Sequence, residues 1–125
     1  MKHNNLKEVL KPNGYIYITT RSLGFGYHAY PYDFWRYEIG DIQKIFSDFK
    51  IISLKKDSEP GILLKAQKPL NWKPADLNTM ELYSIVLNKR INYIPEKMPL
   101  LRRFKFRVII YIHDLIRKLA SIIYK

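Results

Sequence analysis

The residues best suited to chemistry lie together in one short stretch, YHAYPYDFWR at residues 27–36. His28, Asp33 and Arg36 can exchange protons or hold charge, and they stand among large aromatic rings. An apolar wall with a few converging polar groups is typical of a ligand pocket. The aromatic candidates for that wall are Tyr30, Tyr32 and Trp35. The same composition also fits a long loop packed on a sheet, in which Asp33 and Arg36 pair with each other or with loop amides.

The elements on either side would hold this stretch at one end of a sheet. Apolar spacing predicts a short helix over residues 4–11, which the Pro-Asn-Gly sequence at 12–14 ends. Residues 15–20, YIYITT, are rich in β-branched and aromatic residues and predict a buried strand. The candidate loop would therefore leave the end of a strand.

After the loop, apolar residues recur at intervals of three and four and predict a helix of about 10 residues. They are Ile39, Ile42, Ile45, Phe46 and Phe49. No good capping residue marks the start of this helix. Residues 49–56 and 61–67 then predict two strands, and the polar connection between them, which contains Pro and Gly, favours an antiparallel hairpin.

The tail changes character after a junction at residues 68–74 that contains prolines. Apolar spacing predicts a helix over residues 76–92 and a second helix over residues 100–125, so we expect two C-terminal helices. The second has an apolar face and a charged face. The apolar face contains Leu101, Phe104, Val108, Ile112, Leu115, Leu119 and Ile122, and the charged face contains Arg103, Arg107, Asp114, Arg117, Lys118 and Ser121. Residues 1–69 and 70–125 are thus the predicted domains.

Composition limits the classes of protein that remain. The 125 residues include no cysteine, which excludes disulfides and thiolate metal sites. The sequence does not begin with the apolar run of a secretory signal. We expect a cytoplasmic protein. The net charge of +11 is concentrated in the tail, where residues 70–125 hold 11 basic and 4 acidic side chains. Such a surface favours an anionic partner, either phospholipid headgroups, nucleic acid or an acidic metabolite, although it also fits a simply solvated face.

Other chemistries find little support. Gly24-Phe25-Gly26 lacks the third glycine and the following helix of a dinucleotide fingerprint. His28 and Asp33 alone make an incomplete metal site, so we predict no metal. Ser22 lacks the context of a nucleophile elbow. The sequence also argues against a nucleic-acid partner, because the aromatic residues concentrate in the loop and the basic residues in the tail.

Residues 6–69 resemble the second half of S-adenosylmethionine-dependent methyltransferases of the type 11 kind. The resemblance lies in the Leu-Lys-Pro-Asn-Gly turn at residues 10–14, the strand after it, and an H-x-x-P-x-D-x-W-R pattern. The pattern residues are His28, Pro31, Asp33, Trp35 and Arg36. The fold that this implies is α/β, the closing half of a Rossmann-like class I methyltransferase sheet. Its order is strand, loop, helix and antiparallel strand hairpin, with the last strand antiparallel to the others.

The resemblance also implies roles for the loop. His28 would be the catalytic base, and the acceptor would be bound by Tyr30, Tyr32, Asp33, Trp35 and Arg36. The cofactor would be S-adenosylmethionine, but the family's Gly-rich turn and acidic strand end do not occur in this sequence. We therefore expect a truncated, acceptor-side portion that is inactive alone and has a missing N-terminal half as its partner. The acceptor would be an unknown small molecule, sugar or lipid.

The last predicted helix supports an alternative function. Charged residues interrupt its apolar run too often for a membrane span. A wide apolar face with basic flanks also occurs in helices that lie in a membrane interface. The chain can therefore be interpreted as a peripheral membrane or protein-interaction module that binds an anionic membrane surface. The helix can also pack on the chain's own sheet or on a partner, which is the commoner role of amphipathic helices in globular proteins.

Overall fold

The computed structural model describes residues 4–26, 33–95 and 99–123, in two compact units, Met1–Ile94 and Pro95–Lys125. The first unit holds α1 (Asn4–Val9), β1 (Tyr15–Arg21), β2 (Trp35–Arg36), α2 (Ile39–Ile45), β3 (Lys50–Lys56), β4 (Gly61–Gln67), β5 (Leu82–Ser84) and β6 (Lys89–Ile91). The second unit holds α3 (Leu100–Ile123). The boundary predicted after residue 69 lies inside the first unit.

The main sheet has three strands in the order β1-β4-β3. The last strand, β4, is antiparallel to both of its neighbours, so β1 and β3 run in the same direction. The predicted strands and their antiparallel hairpin are confirmed, and the chain has a mixed α/β fold. Leu64 lies at the centre of this sheet, opposite Ile18 on one side and Leu54 on the other.

One face of the main sheet forms the core. Side chains alternate between the two faces of a strand, so Ile62, Leu64 and Ala66 of β4 point to the same side. They belong to one buried cluster with residues of α2 and its C-terminal turn. The buried members are Ile42, Ile45, Phe46, Phe49, Ile62, Leu64, Ala66, Met80 and Leu82. On the other face of the sheet, Tyr15 and Tyr17 are 51% and 69% exposed.

Two buried lysines fasten the short helix α1 to the rest of the unit. The Lys7 ammonium is fully buried and donates to Asp48 Oδ1 at 2.7 Å. The Lys68 ammonium donates to the carbonyl oxygens of Lys7 at 2.7 Å and Leu10 at 2.8 Å, and it lies 4.2 Å from the Trp72 ring centroid. The Trp72 indole N–H donates to Asp48 Oδ2 at 2.9 Å, which links the two lysines.

The helix predicted over residues 76–92 is wrong. This segment instead forms the hairpin β5–β6, whose strand β5 pairs with β2. The buried positions Met80, Leu82, Ser84 and Val86 recur at every second residue, which is the period of a strand and not of a helix. Asn88 adopts a left-handed conformation with φ of 58°, which closes the turn between the strands. The helical spacing was apparent only, because apolar residues of the hairpin and of the neighbouring loops were assigned to one face of a single helix.

The helix α3 begins at the predicted residue and extends to Ile123. Apart from Lys105 and Ile110, most of its described apolar and basic residues lie on opposite faces. None of the helices that the structure describes is long and apolar enough to cross a membrane.

Candidate functional site

The candidate loop leaves β1 at Arg21, and the chain returns to the same place at residues 33–37. The first turn contains Gly24 with φ of +97°, a conformation that favours glycine. On its return, the Tyr37 N–H donates to the Arg21 carbonyl oxygen at 3.0 Å, and β2 pairs Trp35 with Ser84 of β5. The hairpin that was missed in the sequence therefore positions the predicted site segment from one side, and the end of β1 positions it from the other.

Arg36 is the buried anchor of this arrangement, with 1% of its surface exposed. Its guanidinium binds both oxygens of Asp33, from Nη1 at 2.5 Å and from Nη2 at 2.8 Å. The remaining donors reach the carbonyl oxygens of Phe25 (Nε, 2.9 Å), Gly26 (Nη2, 2.7 Å) and Trp35 (Nη1, 2.8 Å). All five N–H groups of an arginine thus have protein acceptors.

The predicted site residues fall into two groups. Asp33, Trp35 and Arg36 come together, and the first and last form the buried ion pair that was one of the two interpretations of the sequence. His28, Tyr30 and Tyr32 lie outside the described residues. The anion-binding role assigned to Arg36 stays a prediction, and in this geometry its donors hold the two ends of the loop together.

A cleft of about 490 Å³ lies where β1 ends and the returning segment begins. It is lined by Thr19, Thr20, Arg21, Asp33, Phe34, Trp35, Arg36, Tyr37 and Asp57. Trp35 is half-buried, so part of its ring surface faces solvent. The cleft lies at the carboxyl end of β1. An apolar ring beside hydroxyl and charged groups can orient a small polar molecule.

Arg21 is a cation of this cleft that sequence reasoning missed. Its guanidinium carbon lies 4.0 Å from the Phe25 ring centroid, a cation–π contact at the start of the loop. Its ion pair with Glu59 spans 3.7 Å, and the two side chains are 46% and 73% exposed, so the pair is weak. The sequence feature that could have identified Arg21 is its position at the end of a strand that leads into the loop. Arg21 can turn to an anionic ligand, whereas the donors of Arg36 are already engaged.

Among the described residues of the cleft, Tyr37 has a side chain whose pKa departs clearly from its ordinary value. Burial of the ring, reinforced by the nearby Asp41 carboxylate, raises the pKa of the Tyr37 hydroxyl above its ordinary value of 10.0. Asp41 is itself fixed at the start of α2, where its carboxylate accepts the Glu38 N–H at 2.9 Å and pairs with Arg90. The Tyr37 hydroxyl therefore stays protonated near neutral pH and can donate a hydrogen bond.

The described residues form no metal centre. No three of their His, Asp and Glu side chains cluster as metal ligands would.

No family model matches this sequence, and no curated protein or solved structure matches the chain. An assignment of function therefore depends on the geometry of the cleft and on the residues that line it.

Proposed function

We propose that residues 6–69 form the acceptor-side part of an S-adenosylmethionine-dependent methyltransferase. The observation that carries the proposal is the cleft at the carboxyl end of β1, because three residues of the H-x-x-P-x-D-x-W-R pattern, Asp33, Trp35 and Arg36, line it. The sheet adds support, since its last strand is antiparallel to its neighbours. A resemblance in sequence and a pocket in the structure thus coincide at the same residues.

Each residue of the cleft would have a distinct role. The Trp35 ring would form the wall against which the acceptor rests, and Arg21 would hold an anionic group of the acceptor. Arg36 would act as a positioning residue that fixes the loop through Asp33 and the carbonyls of residues 25 and 26. His28 remains the proposed general base, which would remove the proton of the acceptor at a gain of about 10²-fold or more in rate.

The cofactor would supply the reactive methyl group, and the Gly-rich turn with which the family binds it does not occur in this sequence. We therefore assign to this chain the binding and orientation of the acceptor and the removal of its proton by His28, and we place the cofactor on a partner, the N-terminal half of the enzyme. Two features suit such a partner. Among the described strands, β1 pairs on one side only, so its other edge offers backbone donors and acceptors, and Tyr15 and Tyr17 lie exposed on the face beside it.

The test compares this chain with a longer protein that also includes the coding sequence immediately before Met1. Titration calorimetry with S-adenosylmethionine should show no tight binding to the chain and micromolar binding to the longer protein. Absence of binding to the longer protein would overturn the proposal. Micromolar binding to the chain alone would show that the cofactor site lies within it and that the acceptor assignment of the cleft is wrong.

The acceptor side can be tested in the longer protein with radiolabelled cofactor and a mixture of small-molecule extracts. Trp35→Ala and Arg21→Ala should lower methyl transfer at least tenfold while the cofactor Kd stays within twofold. Arg103→Ala, which removes an exposed arginine of α3, is the matched control and should leave both quantities unchanged. Equal transfer by all three variants would show that the cleft does not bind the acceptor.

A further inference from the structure

The helix α3 exposes a broad apolar face. When the residues are placed around the helix axis at 100° each, the apolar sector begins at Tyr111 and ends at Ile109, and it is about 160° wide. The apolar side chains described in this sector are Leu101, Phe104, Val108, Ile109, Tyr111, Ile112, Leu115, Ile116 and Leu119, with exposed fractions from 39% for Val108 to 83% for Leu101. A patch of this extent on one helix indicates a surface that binds something apolar.

The opposite face of α3 is basic. Residues 100–123 contain six Lys and Arg but a single acid, Asp114. Arg107 and Lys118 lie at one border of the apolar sector, where long cationic side chains meet the apolar surface. Near the start of the helix, Arg103 and Arg107 stand one turn apart and line a surface groove with Leu100 and Phe104. Cations at the border of an apolar sector can pair with the anionic groups of a surface while the apolar side chains enter its apolar interior.

This combination distinguishes between the possible occupants of the face. A second helix in a coiled coil would use a narrow seam of two positions in seven and flanking charges of both signs. Here the apolar sector is about twice as wide as such a seam, and the flanking charge is almost entirely positive. A nucleic acid would use the cations and leave the apolar side chains in water. A bilayer surface with anionic headgroups accommodates both features at once.

We propose that α3 binds an anionic phospholipid surface and lies in the plane of the interface. Its apolar sector would enter the boundary between headgroups and acyl chains, at a depth of about 5–10 Å. Arg107 and Lys118, at the border of the sector, would reach the phosphate groups. Lys105 lies inside the apolar sector, where its methylene chain can be buried while its ammonium extends to the headgroups. This inference does not depend on the methyltransferase proposal.

Co-sedimentation of the full chain with vesicles tests the proposal. We expect binding to vesicles that contain 30 mol% phosphatidylglycerol, at least tenfold weaker binding to pure phosphatidylcholine, and release by 0.5 M salt. Each cation near the surface strengthens binding by about fivefold, so Arg107→Glu with Lys118→Glu should weaken it by far more than tenfold. The control Lys50→Glu with Lys55→Glu makes the same change in charge on β3. Equal losses for both pairs would show that only net charge matters and would overturn the proposal.

The apolar face needs a separate test. Ile112→Asp, in the middle of the sector, should weaken binding to the anionic vesicles at least tenfold. Ile110→Asp adds the same charge on the basic side of the helix and serves as the control, with a loss of threefold or less. Sedimentation velocity without vesicles examines the competing occupant. A dimer that Ile112→Asp abolishes and Ile110→Asp leaves intact would assign the face to a second copy of the chain and overturn the proposal.

The orientation of the helix can be measured directly because the chain has no cysteine. A single environment-sensitive fluorophore can therefore be attached at Val108→Cys or at Ile110→Cys, which point to opposite sides of α3. Addition of anionic vesicles should shift the emission of the label at position 108 to the blue and leave that at position 110 nearly unchanged. Equal shifts at both positions, or none at either, would contradict an in-plane helix.

Discussion

Replacement of Arg36 by lysine should destabilise the first unit even though it preserves the charge. The guanidinium uses five donors on acceptors from residues 25, 26, 33 and 35, and a lysine ammonium has only three. At least two of these partly buried acceptors would therefore lose a partner. Each such loss costs about 1–3 kcal/mol, so we expect the free energy of unfolding to fall by about 2–4 kcal/mol.

Urea unfolding can measure this loss, because Trp35 lies in the affected segment and gives a fluorescence signal. Limited chymotrypsin digestion adds a local measurement. The Phe25 carbonyl is held by Arg36 Nε at 2.9 Å, so the variant should be cut faster after Phe25. Arg103→Lys, on the exposed surface of α3, is the control and should change the free energy of unfolding by less than about 0.5 kcal/mol.

A double-mutant cycle isolates the ion pair. Both side chains are nearly buried, with 1% of Arg36 and 9% of Asp33 exposed, so the pair is little screened by solvent. Asp33→Ala combined with Arg36→Lys should show a coupling of about 1–3 kcal/mol. If Arg36→Lys unfolded at the same urea concentration as the unchanged protein and were cut no faster after Phe25, the anchoring role would be refuted. Arg36 would then be a candidate for ligand binding once more.

Two further predictions concern the same unit. Asp48→Asn removes the charge that faces the buried Lys7 ammonium, so the free energy of unfolding should fall by about 2 kcal/mol or more in urea; an unchanged value would show that Lys7 does not need its partner. The pKa of Tyr37 is raised in the folded state, so its contribution to stability is complete below pH 10.0 and is lost as the pH rises through the folded pKa. Thermal melts from pH 8 to 11 should therefore show a steeper decline than those of Tyr37→Phe, and parallel declines would contradict the shift.

The main sheet could be predicted from the sequence because each of its strands carries a local signal. The YIYITT run and the hairpin around Asp57 and Pro60 specify strands and a turn without reference to distant residues. The hairpin β5–β6 could not be predicted in this way. Its strands have only three residues each, and β5 acquires its pairing from Trp35 and Arg36 far along the chain. Short strands depend on tertiary pairing, which spacing in a sequence does not reveal.

The candidate site could likewise be predicted only in part from the sequence. The sequence placed Asp33, Trp35 and Arg36 in one segment but left open whether Arg36 faced a ligand or its neighbours. The answer depends on the carbonyl groups of Phe25 and Gly26, which have no sequence signature. The burial of Lys7 and Lys68 could not be predicted from the sequence, because lysine is rarely buried without a partner. Their partners are Asp48 and the end of α1, and these become visible only in three dimensions.

The lysine attachments of α1 have a consequence for the order of folding. A helix of six residues is far too short to be stable alone in water. Its fixation requires Asp48, Lys68 and Trp72, so the N-terminal residues can become ordered only after the chain has closed loops of about 40 to 60 residues. We expect α1 to be among the last elements to form and the first to open in hydrogen exchange. In Lys68→Met, the backbone amides of α1 should lose their protection from hydrogen exchange, while those of β4 should keep theirs.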